Sequence, residues 1–198
     1  MAGAAAVEAL HEAILPSRIW PAQAFFEVKC EEQRQRHARF GDTSDNLEPN
    51  LKDGPGGLRD IHTMVWMSER SFGLQGLEDL LATGRLGADE AQALARERAV
   101  LCRLRYGLHL VAGRREERLR FDYQKPLAAR LGYQDDAGAL GVEQMMQDFY
   151  RSAAVIRRID DRLLQRFEEH FEGQSPPRPL DAEFEARNGY LATRVDGW

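Results

Sequence analysis

From Val142 to Phe171 apolar residues return every three or four positions: Val142, Met145, Phe149, Ala153, Ile156, Ile159, Leu163, Phe167 and Phe171. That period sets them in one stripe along a helix of roughly 30 residues, about 45 Å long at the standard rise. A stripe of this length needs other helices to cover it. The rest of the chain supplies them. A second long helix is expected from Ala88 to about Ala112, with Leu94, Leu101, Leu104, Leu108 and Val111 on its buried face. Asp89 and Glu90 suit the positive end of its dipole. A shorter helix should follow Gly57, carrying Leu58, Ile61, Met64, Val65 and Met67. Another should span about Pro21 to Ala38, proline being favoured near a helix start. Asp122 reads as the N-cap of a segment from Tyr123 to Leu131, with Gly132 as its stop. No run sustains period-two alternation, so no strands are expected. The predicted fold is all-α, an antiparallel helical bundle with two long helices and several shorter ones.

The helical domain is expected to occupy residues 1–172. From Gly173 the run Gly-Gln-Ser-Pro-Pro-Arg-Pro cannot continue a helix, because successive prolines remove donors and clash with the preceding turn. Residues 173–198 therefore read as a Pro-rich linker and a truncated tail. The chain has 198 residues, 43% hydrophobic and 30% charged, enough for a proper core and against wholesale disorder. A membrane span needs ~20 consecutive apolar residues, and no such run exists. Net charge is -5, from 27 Lys+Arg against 32 Asp+Glu, so nothing global suggests a nucleic-acid partner. Cys30 and Cys102 lack metal spacing and read as reduced thiols of a cytoplasmic protein. The Ala-rich start, broken at once by Glu8 and His11, is not a signal peptide.

Catalytic chemistry is conspicuously missing. Metal-assisted nucleotidyl transfer needs two or three carboxylates converging on divalent cations, usually from an Asp-x-Asp, and none occurs. The adjacent pairs Asp135–Asp136 and Asp160–Asp161 read as solvated surface charge. His11, His37, His62, His109 and His170 form no HExxH or HxH pair; His62 and His109 sit in helical patterns as packed or surface residues. There is no GxSxG elbow and no Walker lysine loop. No catalytic residue and no metal ligand is expected in this chain.

One segment is unusual: Asn46-Leu-Glu-Pro-Asn-Leu-Lys-Asp-Gly-Pro-Gly-Gly-Leu-Arg-Asp-Ile61. Glycines can let a backbone approach an anion, a helix start presents N–H groups, and Lys52 and Arg59 add mobile charge. The same residues can equally form a tight turn between helices, with Asp60 capping the helix and Arg59 paired to an acid such as Glu48. Two further polar groups stand out. Lys29, Gln33, Arg36 and His37 can share a helix face, which by itself reads as solvated. Gly113-Arg-Arg-Glu-Glu-Arg-Leu-Arg-Phe-Asp-Tyr-Gln124 follows a long helix and reads alone as a charged turn.

The run LEPNLKDGPGGLRDIHTMVW, Leu47 to Trp66, resembles the signature of the central helical domain of the PII uridylyltransferase/uridylyl-removing enzymes. The flanks FFEVKCEEQRQRHARFGDT, LRYGLHLVAGRREERLRFDYQKPLAARLGY and VEQMMQDFYRSAAVI follow the same order, and LDAEFEARNGYL resembles the linker to that family's HD-type hydrolase domain. A shorter form of the motif is similar to glutamine-synthetase adenylyltransferases, which remain the alternative, with a stand-alone helical interaction module as a third. The resemblance implies a parent enzyme that uses UTP and Mg²⁺ to uridylylate a tyrosine of the PII protein. It also implies a nucleotidyltransferase domain bearing paired aspartates, an HD domain that removes the modification, and ACT domains that sense glutamine. Its partners would be those domains and PII. The residues carried over are Glu48, Asn50, Lys52, Gly54, Gly56, Gly57, Arg59 and Asp60, with Lys29, Arg36, His37, Arg114, Arg120, Asp122 and Gln124 from the flanking blocks. In this reading Lys52, Gly54, Gly56, Gly57 and Arg59 lie near nucleotide phosphates, and Glu48 and Asp60 orient the cations. The domain binds no cofactor of its own.

Overall fold

The computed structural model describes residues 2–15, 18–43, 46–73, 77–172, 178–181, 183–187 and 190–194. They form seven helices in chain order: α1 (Ala2–Ala13), α2 (Ala22–Ala38), α3 (Leu58–Phe72), α4 (Leu77–Ala82), α5 (Ala88–Ala112), α6 (Phe121–Arg130) and α7 (Gly141–Glu172). The chain divides into two compact units, Met1–Asp160 and Asp161–Trp198, and the division falls inside α7.

In the first unit α2 packs on α3, α5 packs on α6, and α3 and α4 both pack on α5. The long period read from the sequence is the reason α7 exists: Met145, Phe149, Ala153, Ile156 and Ile159 are all buried. On α5 the same holds for Leu94, Leu101, Leu104 and Leu108. α3 buries Leu58, Ile61, Met64 and Met67, each worth about 1.5–3 kcal/mol of transfer free energy. Close approach of α5 and α6 is set at Gly107, where an added Cβ would lie 2.6 Å from Leu127 Cδ1. Glycines also end two helices in the left-handed region, Gly73 after α3 (φ 69°) and Gly113 after α5 (φ 64°). α5 starts at Gly87, whose N–H donates to Glu90 Oε2 at 3.1 Å.

Three expectations are corrected here. Asp122 is not the N-cap of α6: the helix starts at Phe121, Arg120 is the N-cap residue, and Asp122 sits in the first turn, where its charge still suits the dipole. Asp160 is not solvated; it is buried and accepts a hydrogen bond from Gln33 Nε2. Strands are present. The second unit holds the end of α7 and a three-stranded antiparallel sheet of β1 (Arg178–Pro179), β2 (Phe184–Arg187) and β3 (Tyr190–Thr193). Strands of two to four residues are too short to print an alternation in sequence. Of the expected linker, residues 173–177 lie outside the described residues. Among the described residues no helix is long and apolar enough to cross a membrane. Cys30 and Cys102 are free thiols.

Candidate functional site

The glycine segment folds as a turn held by its own backbone. Asn50 Oδ1 accepts the N–H groups of Lys52 (3.0 Å) and Asp53 (2.7 Å), which bends the chain back. Gly54 N–H then donates to the Asn50 carbonyl and Gly57 N–H to that of Gly54. Leu58, Arg59 and Asp60 donate in turn to the carbonyls of Leu51, Lys52 and Gly57. Gly56 N–H reaches Asp60 Oδ2 at 2.7 Å. Every backbone N–H from Lys52 to Asp60 therefore has a partner within the protein.

The glycines are there for packing. Gly54, Gly56 and Gly57 are buried. Gly56 has φ 73°, and a Cβ on it would lie 2.2 Å from the carbonyl oxygen of Ala153 in α7. A Cβ on Gly57 would meet the carbonyl oxygens of Gly54 and Lys52 at 2.7 Å. This corrects the expectation that the glycine amides cradle an anion, since no amide of the turn is left to do so. Any anion here must be met by side chains.

Asp60 is also placed differently from expectation. Its carboxylate is fully buried and faces α2, with Arg36 Nη1 at 2.7 Å and His37 Nε2 at 3.0 Å. It does not orient Lys52 or Arg59. Arg36 also donates to the Asp53 carbonyl at 3.2 Å, so α2 holds both ends of the turn. The α2 face carrying Gln33, Arg36 and His37 is thus buried against neighbouring helices instead of solvated. Lys29 lies further out, bonded to Glu32 at 2.6 Å and poised 5.4 Å from the Trp66 ring centre.

Glu48 and Gln124 are fasteners. Glu48 Oε1 accepts the N–H of Phe121 at 2.9 Å, capping α6 across 73 residues, and its other oxygen meets Arg118 at 3.3 Å. Gln124 Nε2 donates to the Leu47 carbonyl at 2.7 Å and to that of Leu119 at 3.1 Å. Asn50 bridges Arg118 through backbone, and Leu51 N–H donates to the Glu117 carbonyl at 2.8 Å. Arg114 pairs with Glu116 at 3.1 Å on the surface, and Arg120 and Asp122 are exposed. These residues do not gather around Lys52.

The Lys52 ammonium is partly exposed and makes no hydrogen bond or ion pair among the described residues. Arg59 Nε meets Asp53 Oδ1 at 3.3 Å, and its guanidinium lies 5.7 Å from the Trp66 ring centre. Its expected partner Glu48 is elsewhere. His62, one turn on from Arg59, is exposed and stands 6.0 Å from Trp66. Partial loss of hydration, then the charges of Arg59, Arg98, Lys52 and Arg105, hold its imidazole below the ordinary value of 6.5. Arg105 is bonded bidentately to Glu117 at 2.6 and 2.7 Å, which raises the guanidinium pKa further. Arg98 and Arg105 are not singled out from sequence, and His62 is read there only as a packed or surface residue. The available signals were the three- and four-residue steps of Arg59, His62 and Trp66, and the seven-residue step from Arg98 to Arg105.

Among the described residues no three His, Cys, Asp or Glu side chains converge to hold a metal ion. The Mg²⁺ that the resemblance implies finds no ligand set in them. Residues 24–164 match the family model described as GlnD PII-uridylyltransferase. The chain belongs to the PII-uridylyltransferase family. A bifunctional uridylyltransferase/uridylyl-removing enzyme of Xanthomonas campestris pv. campestris (strain B100) is 63% identical over 198 residues, covering 100% of this chain and 23% of that protein. Its counterpart in Xanthomonas axonopodis pv. citri (strain 306) is 61% identical over the same 198 residues and 23% of its length. The enzyme of that name from Nitrosococcus oceani is 45% identical over 185 residues, 92% of this chain and 21% of that protein. The chain thus spans less than a quarter of the length of these relatives. No solved structure matches it.

Proposed function

We propose that this chain is the noncatalytic helical segment of a bifunctional enzyme that transfers UMP from UTP to a tyrosine of the PII protein and removes it again. The segment closes the nucleotidyltransferase cleft of its own polypeptide, and Lys52 and Arg59 meet the triphosphate or the departing pyrophosphate. Mg²⁺ and the metal-binding carboxylates belong to another part of that polypeptide. The nucleotidyltransferase and HD domains, and PII itself, are its partners.

The observation that carries this reading is the Lys52 ammonium, without a hydrogen bond or ion pair among the described residues, on a turn that leads into Arg59 and whose backbone N–H groups all have partners. Charges fixed in advance on a rigid support stabilise developing negative charge without reorganising as the reaction proceeds. The two cations suit different parts of that task. Arg59 can grip phosphate oxygens bidentately, whereas Lys52 acts as a compact point charge.

The test is Lys52→Ala and Arg59→Ala in the full-length enzyme. Each should lower uridylyl transfer by about a hundredfold while leaving uridylyl removal unchanged. Normal UTP turnover in both variants would sink the cleft-closing role. The isolated chain, mixed with UTP, Mg²⁺ and PII, should show no transfer at all.

A further inference from the structure

We propose that α1 and the turn after it are the face on which this chain docks against the nucleotidyltransferase domain of its own polypeptide, with a nonpolar side chain of that domain filling the cavity beside Trp20. The inference rests on the proposed function and adds to it the surface that holds the two parts together. Of the fourteen large apolar residues exposed among the described residues, six fall between positions 7 and 20: Val7, Leu10, Ile14, Leu15, Ile19 and Trp20. Val7, Leu10 and Ile14 recur at three and four residues and so line one side of the helix; Ile14 N–H still donates to the Leu10 carbonyl at 3.0 Å. Glu8 and Glu12 fall on the other side. A concentration of exposed apolar surface of this kind marks an interaction site. α1 contains no lysine or arginine, so its polar side does not suit an anionic membrane surface.

A cavity of about 740 Å³ adjoins this band, lined by Ile14, Leu15, Trp20, Phe25 and Trp66 among others. Its wall is built in advance. Trp20 has φ 48°, a conformation that bulky side chains rarely adopt. Arg70 holds it there, donating to the carbonyls of Ile14, Ile19 and Trp20. The indole is thereby set edge-on to Phe25, with ring centres 5.1 Å apart, and stays 48% exposed. Backbone strain persists where the surroundings fix it, and an aromatic anchor fixed before binding has little freedom left to lose. The occupant follows from what adjoins the cavity. Trp66 forms part of its wall, and the same ring centre lies 5.7 Å from the Arg59 guanidinium and 5.4 Å from the Lys29 ammonium. The apolar face thus runs directly into the cation that meets the phosphates in the proposed function, so the domain that presents the nucleotide also reaches the cavity. The chain spans 23% of its Xanthomonas campestris relative, which leaves ample polypeptide beyond it to cover this face.

The test uses the full-length enzyme with the photoreactive residue p-benzoylphenylalanine in place of Leu10. Irradiation should join it to a peptide of the nucleotidyltransferase domain of the same polypeptide, identified by mass spectrometry. A cross-link to the HD or ACT domains, a cross-link to a second copy of the enzyme, or no cross-link at all would overturn the proposal. Hydrogen exchange gives a reading without substitution. The amides of α1 should exchange at least about tenfold more slowly in the full-length enzyme than in this chain alone, and equal rates would count against the docking face. Leu10→Lys and Ile14→Lys, both at exposed positions, should each lower uridylyl transfer about tenfold. Uridylyl removal and the melting temperature of the isolated chain should stay unchanged, which separates lost docking from lost folding. Full transfer activity in both variants would contradict the proposal. The two claims fail separately. If Leu10 cross-links as expected but Lys52→Ala and Arg59→Ala leave full-length turnover intact, the phosphate-contacting role falls and the docking face stands.

Discussion

Asp60 Oδ2 accepts the backbone N–H of Gly56 at 2.7 Å, so a side chain in the first turn of α3 reaches back to hold the turn that leads into it. Its other oxygen takes Arg36 Nη1 at 2.7 Å, and His37 Nε2 lies within 3.1 Å of both. One buried carboxylate thereby joins α2, α3 and the glycine turn.

Removing it should be costly. Asp60→Ala strands the buried Arg36 guanidinium and frees the Gly56 amide, so a loss of about 3–5 kcal/mol is expected. Asp60→Asn keeps an acceptor for Gly56 and should fall between the parent and the alanine variant. Urea denaturation monitored by circular dichroism measures both. An Asp60→Ala loss below about 1 kcal/mol would show that the junction is held by packing alone.

Gly56→Ala should be worse than a left-handed φ alone explains. At Gly113, with φ 64° and open space around the added Cβ, alanine costs only the backbone strain, about 1–2 kcal/mol. At Gly56 the Cβ also collides with the Ala153 carbonyl at 2.2 Å. The expected result is a loss above about 4 kcal/mol or failure to fold, read from paired thermal melts. Equal melting temperatures for the two variants would contradict the packing role assigned to Gly56.

Glu48 acts on α6 through its acceptor oxygen more than through its charge. Glu48→Ala leaves Phe121 N–H uncapped and should cost about 1 kcal/mol. Glu48→Gln retains an acceptor and loses only the ion pair with half-exposed Arg118, so its cost should stay below about 0.5 kcal/mol. Hydrogen exchange at the first amides of α6 should quicken in Glu48→Ala alone.

Tyr133 gives a prediction at alkaline pH. Burial first, then its hydrogen bond to Asp148 Oδ2 at 2.8 Å, pushes the phenol up to about 12 from 10.0. The folded state therefore holds its proton where the unfolded chain has released it. Stability from this source is complete below pH 10, falls as the unfolded phenol ionises, and is gone by about pH 12. Tyr133→Phe should flatten that slope in denaturation curves, and phenolate absorbance should show one tyrosine titrating late.

The helices that periodicity reports were legible because an apolar stripe is a local property. α5 spans Ala88–Ala112 as expected, and α7 extends the expected stripe by one residue at each end. α1 and α4 were not expected; α1 exposes Val7 and Leu10, so it has no buried stripe to announce it. The start of α6 was misplaced because its cap comes from Glu48 on a distant loop, a signal absent from Arg120 and its neighbours. The glycines and prolines of residues 46–61 mark that segment as unusual in the sequence, but spacing does not carry what each of its residues touches.

By itself the sequence determined a helical chain, a glycine turn opening into an amphipathic helix, and membership of a family. Tertiary structure alone decided that the glycines answer to α7, that Asp60 belongs to Arg36 and His37, and that Glu48 caps α6. The reason is the range of the forces involved. Helix periodicity is set by neighbours three and four residues away, which spacing records. The partner of a buried carboxylate, or of a helix amide capped from a distant loop, depends on which faces come together when the core excludes water, and no local spacing carries that information.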